Sequence, residues 1–450
     1  MKKLLILTTA CTTTFYFPLN AMAEEHGFLE DSTLTITAKN YYYDNNNRDN
    51  YAGQSREWGQ GFILDYKSGF TQGTVGVGID ALAMFGFRLD SGGRAGKANI
   101  DRTPGTMFPL KRNGKAENSF GSFGVAPKIR ISKTEAKYGT FIPNMPVAVG
   151  NNGRLLPQTF DGGMITSNEL KDFTFVGGKL EHVKGRASTD NQPMSVDGAS
   201  TGIASNKFYF GGVDYRVTKD LKLQYYYGNL KEFYKQHFLG LNYGLALPVG
   251  SLTTDVRYFY SDSDGKNAST SGRGQGYRIK GYNNNGEVDN QTWSVALTYA
   301  VKGHALTGGY QSLSGDSNFP FLNQGTAWSG AGGSTAYLWT DSQIGKFLSA
   351  GQRTWFGQYS FNFADIGVPG LTASIKYLKG SHVYDTRAGA NYGKKEREWE
   401  RDFKVAYKIQ SGPLKDLELA WMNATFRSGA SNDLDENRVI ATYTFVFDKF

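Results

Sequence analysis

Between Arg438 and Phe447 the side chains alternate in character from one position to the next. Val439, Ala441, Tyr443, Phe445 and Phe447 fall on one face, whereas Arg438, Thr442 and Thr444 fall on the other. A period of two places apolar and polar side chains on opposite faces of a sheet. A strand with a largely aromatic apolar face, followed three residues later by the terminal Phe450, has the form of the closing strand of an outer-membrane β-barrel. This one segment points to a fold in which strands, not helices, meet lipid.

The rest of the chain agrees. No segment after the first twenty or so residues offers about 18 consecutive apolar positions, so helical spans are not expected. A barrel needs only alternate residues to be apolar, so a mean hydropathy of −0.44 with 14% aromatic residues and 56 glycines is compatible with spanning a membrane. A soluble β-solenoid or adhesin is the plain alternative. Residues 1–23 read as a cleaved leader: Lys2 and Lys3 are followed by an apolar stretch to Phe17, and Ala21-Met22-Ala23 precedes Glu24. Cys11 does not make a lipoprotein signal, because the apolar run before it is too short. Residues 24–450 are then one cysteine-free domain, and removing Lys2 and Lys3 takes the formal charge from +8 to +6. The basic residues are scattered, which argues against nucleic acid as a partner and suits a lumen that attracts anions.

Seventeen alternating segments run from Thr33–Tyr43 to Arg438–Phe447, with Lys137–Ile142 the weakest. Bacterial barrels close with an even number, so the expected fold is all-β, a transmembrane antiparallel barrel of 18 strands with inward-folded constriction loops. Connections alternate in length. Val217–Asp220, Pro248–Ser251 and Lys302-Gly303 are tight, whereas Arg88–Gly124, Asn144–Asp172, Ser263–Asn290 and Leu313–Gln352 are long. Prolines and apolar residues lie together in Asp101–Leu110 and Phe141–Val147, which suits loops packed against an inner wall.

Several collinear blocks resemble the OprD-type substrate-specific porins. They include Gly27–Ser32 with Lys39–Tyr43, Ile131–Gly139, Arg154-Leu-Leu-Pro-Gln-Thr-Phe160, Asn229–Gln236 and Gly315-Asp316 before Phe319–Leu322. Glu400–Asp402, Gln410–Lys415 and Asp435–Arg438 complete them. The resemblance implies a monomeric 18-stranded barrel in the outer membrane of a Gram-negative bacterium, in contact with lipid and lipopolysaccharide. Insertion by the barrel-assembly machinery would proceed through the strand ending at Phe450. It also implies inward loops at Asp101–Leu110, Phe141–Phe160 and Leu313–Leu338, with a basic ladder that guides small carboxylate solutes. Cyclic and aromatic monocarboxylates are favoured here; another branch takes basic amino acids, small peptides and carbapenems. One family arginine stands as Lys39 in this chain, which keeps the charge and loses the bidentate fork.

Strand parity selects lumen residues independently. Lys39, Lys128, Arg130, Lys222, Arg257, Lys376, Lys404 and Arg438 lie on polar faces, and a cation facing lipid near the midplane costs roughly 2–4 kcal/mol. Any of them can instead hydrate the lumen or pair with acids such as Asp255 and Glu418. Arg154 sits in a long loop within the most specific motif and is expected at the constriction. Asp316 is expected to oppose the cations there, or else to form a Gly-Asp turn at a loop base. Arg401 shares parity with Phe403, Val405 and Tyr407 and is assigned to a strand end or rim.

Other classes fit less well. His26, His182, His237, His304 and His382 accompany no nucleophile motif, so a barrel enzyme is not expected, and neither catalytic residues, a cofactor nor a metal is assigned. Asp262-Ser-Asp264-Gly265 lacks the later ligands of a calcium loop. A general diffusion porin is the nearer rival, with one dominant inward loop. A plugged receptor barrel needs a longer chain.

Overall fold

The computed structural model describes residues 27–49, 54–95, 102–283, 285–324, 333–387 and 389–448. The assigned leader, Cys11, His26 and Phe450 lie outside them. Eighteen long strands among the described residues form one closed antiparallel barrel. The first nine are β1 (Thr33–Asn47), β2 (Ser55–Lys67), β3 (Val75–Asp90), β4 (Ser119–Ile131), β5 (Thr134–Phe141), β6 (Thr159–Ser167), β7 (Phe173–Lys184), β8 (Phe208–Arg216) and β9 (Leu221–Leu230). The second nine are β10 (Tyr234–Ala246), β11 (Ser251–Ser263), β12 (Asp289–Val301), β13 (His304–Ser314), β14 (Arg353–Asn362), β15 (Leu371–Tyr384), β16 (Lys395–Lys408), β17 (Glu418–Ser428) and β18 (Leu434–Asp448).

Closure is made by the two strands farthest apart in sequence. β1 pairs with β2 along one edge and with β18 along the other, from Thr33↔Asp448 to Asn47↔Leu434. No edge is left open, so each backbone donor and acceptor in the lipid band has a ladder partner. No described helix is long and apolar enough to cross a membrane, which leaves the crossing to the strands.

The alternation read in the sequence is the inside–outside alternation of the wall. Val75, Val77 and Ile79 on β3, Leu297 and Tyr299 on β12, and Phe445 and Phe447 on β18 are exposed on its outer surface. Their neighbours Arg438, Lys128 and Arg257 are buried. Two points differ from the sequence reading. The segment Val125–Thr134 is two strands, because Ser132, at a φ of 54°, and Lys133 make a tight turn between β4 and β5. The stretch read as one loop from Asn144 to Asp172 contains β6, whose Gly162 and Gly163 interrupt the apolar alternation.

Tight turns cluster at one end and long connections at the other, as barrel topology requires. The described parts of the connections 91–118 and 315–352, and residues 142–158, turn back into the barrel instead of standing clear of it. Met107, Phe108, Leu155 and Leu156 from the first two of these pack with Tyr41, Met84 and Phe120 of the wall. Val147, Phe319, Leu322 and Leu338 join a larger cluster with Phe160, Phe208, Phe238 and Phe259.

Candidate functional site

Inward loops need their backbone groups satisfied, and inward-facing carboxylates on the wall do this. On β2, the buried Glu57 accepts hydrogen bonds from the amides of Gly105, Thr106 and Met107 at 3.1, 2.8 and 2.7 Å. On β16, Glu400 accepts from Ile344 and Gly345 amides at 2.8 and 2.6 Å, and Asp402 accepts from Gln343 at 3.4 Å. Each carboxylate fixes the turn of a loop that would otherwise carry orphaned donors inside the barrel. Glycine provides the clearance: a Cβ on Gly59 would stand 2.7 Å from the Phe108 ring and 2.8 Å from Leu155.

Where the loops meet the first and last strands, cations gather. Lys39 on β1 donates to the Arg154 carbonyl at 2.7 Å, and Tyr41 donates to the Gly153 carbonyl at 3.2 Å. The Arg154 guanidinium lies 4.6 Å from the Tyr43 ring centre. Arg438 on β18 pairs with Glu436 at 2.5 Å and donates to the Gln343 carbonyl at 2.7 Å, while Tyr43 donates to the same carboxylate at 2.7 Å. Arg186, from the connection 185–207, donates to Asn151 at 3.2 Å. Burial, and after it the nearby Arg154 and Arg438, hold the Arg186 guanidinium below its ordinary value.

Of Lys39, Arg154, Arg186 and Arg438, only Arg438 is in an ion pair among the described residues. The Nε atoms of Arg154 and Arg186 are buried with no hydrogen-bond partner among the described residues. The site thus combines excess positive charge with two guanidinium groups outside that ion pair, a chemistry suited to a carboxylate.

The other residues chosen from parity fall into separate groups. Arg257 forms a bidentate pair with Asp255 at 2.7 and 2.9 Å and lies 4.2 and 5.7 Å from the rings of Tyr337 and Trp339. Lys376 donates to the Trp339 carbonyl at 2.7 Å, so these two cations flank one loop aromatic whose Nε1 is buried without an acceptor. Lys128 pairs with Asp80 at 2.7 Å and donates to the Ser68 carbonyl, with Arg130 beside it 4.4 Å from the Phe70 ring. These last two lie near the tight-turn end. Lys222 and Lys404 make no hydrogen bond or ion pair with the described residues.

Asp316 does not join the constriction. It is exposed after Gly315, whose φ is +92°, and its carbonyl accepts from the Tyr282 amide at 2.8 Å. This is the loop-base turn, placed beside Asp289. The acid that meets Arg438 and Tyr43 is Glu436, two residues from Arg438 on the same strand face, where strand parity alone places it. Arg401 is exposed and donates to Asn423 and Thr425 on β17. Arg186 had no such signal, because no strand periodicity governs its loop.

Comparison with known proteins places these features in context. Residues 26–447 match the family described as "outer membrane porin, OprD family". The chain is similar to the solved structure of OccK8 (OprE) from Pseudomonas aeruginosa, at 51% identity and a TM-score of 0.85, covering 94% of this chain and 100% of that one. It is 32% identical to Porin D of Pseudomonas aeruginosa over 94% of this chain and 92% of that protein. It is also 32% identical to Pseudomonas aeruginosa OpdK, solved with vanillate, with a TM-score of 0.79 and coverage of 94% and 100%.

Proposed function

Because this chain belongs to the OprD family of outer membrane porins, a family of channels and not enzymes in the outer membrane of Gram-negative bacteria, we propose that its pore passes small carboxylate solutes by binding-assisted diffusion. Cyclic and aromatic monocarboxylates are the favoured class, ahead of basic amino acids. The observation that carries this reading is the gathering of four cations, Lys39, Arg154, Arg186 and Arg438, of which only Arg438 is ion-paired among the described residues. In a narrow, partly dehydrated passage a guanidinium attracts carboxylate more strongly than in bulk water. Release requires that no single site bind tightly, and several modest sites in series meet that need. Arg257 with Lys376, and farther on Lys128 with Arg130, supply the further steps, with Lys222 and Lys404 as solvated cations between strands. A relative solved with vanillate, itself an aromatic carboxylate, supports the class. The barrel works as a monomer on this reading.

The test is uptake of radiolabelled benzoate against arginine into proteoliposomes, with Arg154→Ala beside the wild type. Loss of one charge-assisted contact, about 1.5–3 kcal/mol, predicts a fall in saturable benzoate uptake of roughly tenfold or more. Unselective uptake of both solutes, indifferent to Arg154, would make the protein a general diffusion pore.

A further inference from the structure

A second place in the molecule joins cation to aromatic surface, far along the chain from the constriction motif. The connections 185–207, 264–288 and 315–352, with the start of 385–394, enclose a cleft of about 840 Å³ at the long-loop end. Arg278, Lys280 and Arg273 line it together with Tyr282, Tyr384 and Asn318. The volume lies within the range of small-molecule sites.

The cleft is built, not incidental. The fully buried Asn267 side chain donates to the carbonyls of Tyr277 and Gly286 at 2.8 Å and accepts from the Val288 amide at 2.9 Å. Lys280 ties that loop to its neighbours, its amide donating to the Asp197 carbonyl at 2.9 Å and its carbonyl accepting from Asn318 at 2.9 Å. The charges are unequal in state. Arg273 pairs with Glu287 and Lys280 with Asp197, both at 3.0 Å, but Arg278 is exposed and has no hydrogen-bond or ion-pair partner among the described residues. Arg273 also keeps a buried Nε without a partner. Tyr282 and Tyr384, which also line the cleft, stack at 3.9 Å with ring planes 9° apart, with Tyr392 6.1 Å from Tyr282 and the Lys395 ammonium 5.5 Å from the Tyr384 ring.

We propose that this cleft is a capture site for small aromatic carboxylates, with Arg278 taking the carboxylate and the Tyr282–Tyr384 stack receiving the ring. An exposed guanidinium with no ion-pair partner among the described residues attracts anions and can form a bidentate contact, and the tyrosine stack offers apolar ring surface to an aromatic partner. A smaller cavity of about 230 Å³ shares Ile279, Asn318 and Ser349 with the cleft and continues past Phe319, Phe321 and Lys346. The proposal takes from the assigned function only the class of solute.

The experiment has two readouts on the full-length channel. Saturation-transfer NMR with benzoate on purified wild type, Arg278→Gln, Tyr282→Ala and Arg154→Ala tests the site directly. In planar bilayers, benzoate is added to either side and interruptions of the single-channel current are counted. Benzoate transfer that weakens in Arg278→Gln and Tyr282→Ala, and persists in Arg154→Ala, supports the cleft even if the constriction assignment fails. The interruption rate from the long-loop side should then fall roughly three- to tenfold in Arg278→Gln, with entry from the other side and dwell time unchanged. Transfer indifferent to Arg278→Gln, or an equal loss of entry from both sides, overturns the proposal. The heat-modifiable gel band of a folded barrel in each variant establishes that it is folded.

Discussion

Arg438, on the strand that closes the barrel, donates a 2.7 Å hydrogen bond to the carbonyl of Gln343 on the longest inward loop. Gln343 returns a 3.3 Å bond from its side-chain amide to Glu436, the ion-pair partner of Arg438. One ion pair on the wall thus holds Gln343 of this loop through two hydrogen bonds. Replacing Arg438 by Gln leaves Glu436 buried without its cation, a change that costs about 3–5 kcal/mol in comparable buried pairs. Single-channel recording should then show higher conductance, noisier current and lower anion selectivity. The double variant Arg438→Gln, Glu436→Gln should recover thermal stability and keep the altered selectivity. An unaltered conductance in Arg438→Gln would mean that the loop is held without this pair.

Glu400 holds the same loop from β16 and separates the two consequences. Glu400→Gln leaves the Arg438–Glu436 pair intact and puts an amide N–H where one of two acceptor oxygens faced the Ile344 and Gly345 amides. A lost acceptor there is worth about 1–3 kcal/mol. The expected result is increased current noise with anion selectivity retained, in contrast to Arg438→Gln. Reversal-potential measurements in a salt gradient separate the two.

The seating of residues 91–118 and 142–158 depends on bare backbone at β2. Gly59 and Gly61 lie under Phe108, Leu155 and Leu156, with gaps too small for a side chain at Gly59. Gly59→Leu should displace Phe108 and Leu155, at a cost of about 1–3 kcal/mol for overpacking. Conductance should rise and the midpoint of heat-induced unfolding on gels should fall. Gly73, which has open space around it but a φ of +117°, is the contrast: Gly73→Asn should leave conductance unchanged.

The barrel itself was legible because lipid outside and water inside enforce a period of two on each spanning strand, as the faces of β18 show. That same rule located Arg257, Lys376 and Arg438 on the inner wall. It failed at β6, where Gly162 and Gly163 carry no side chain to alternate. It also gave no information about loops, so Arg154 rested on its motif and Arg186 went unseen. Asp316 shows the limit of motif reading. A Gly-Asp pair at a loop base satisfies a local turn, and the acid beside the constriction cations comes from β18 instead. Carboxylates such as Glu57 and Glu400 were hidden for a related reason. Their partners are backbone amides of distant loops, which leave no signature in the side-chain pattern.

The short connection 385–394 forms one side of the proposed capture cleft and has its own pH dependence. Arg387 donates from Nε and Nη2 to the Asp385 carboxylate at 2.9 and 2.7 Å, and its amide donates at 2.9 Å. The guanidinium first, then that amide, hold the Asp385 carboxyl below the ordinary carboxylate value. A carboxyl depressed in the folded state stabilises its loop fully above the unfolded value of about 3.9, and the contribution is lost as pH falls through the lower folded value. Hydrogen exchange of residues 385–394, corrected for the intrinsic rate, should therefore show constant protection from pH 8 to about 5 and a loss below about 4. Asp385→Asn should give low protection at each pH, because the neutral amide cannot form the same charged pair with Arg387. Protection that persists in Asp385→Asn would show that the loop is held by its backbone bonds, from the Asp385 amide to Lys394 and from the Gly393 amide to Asp385.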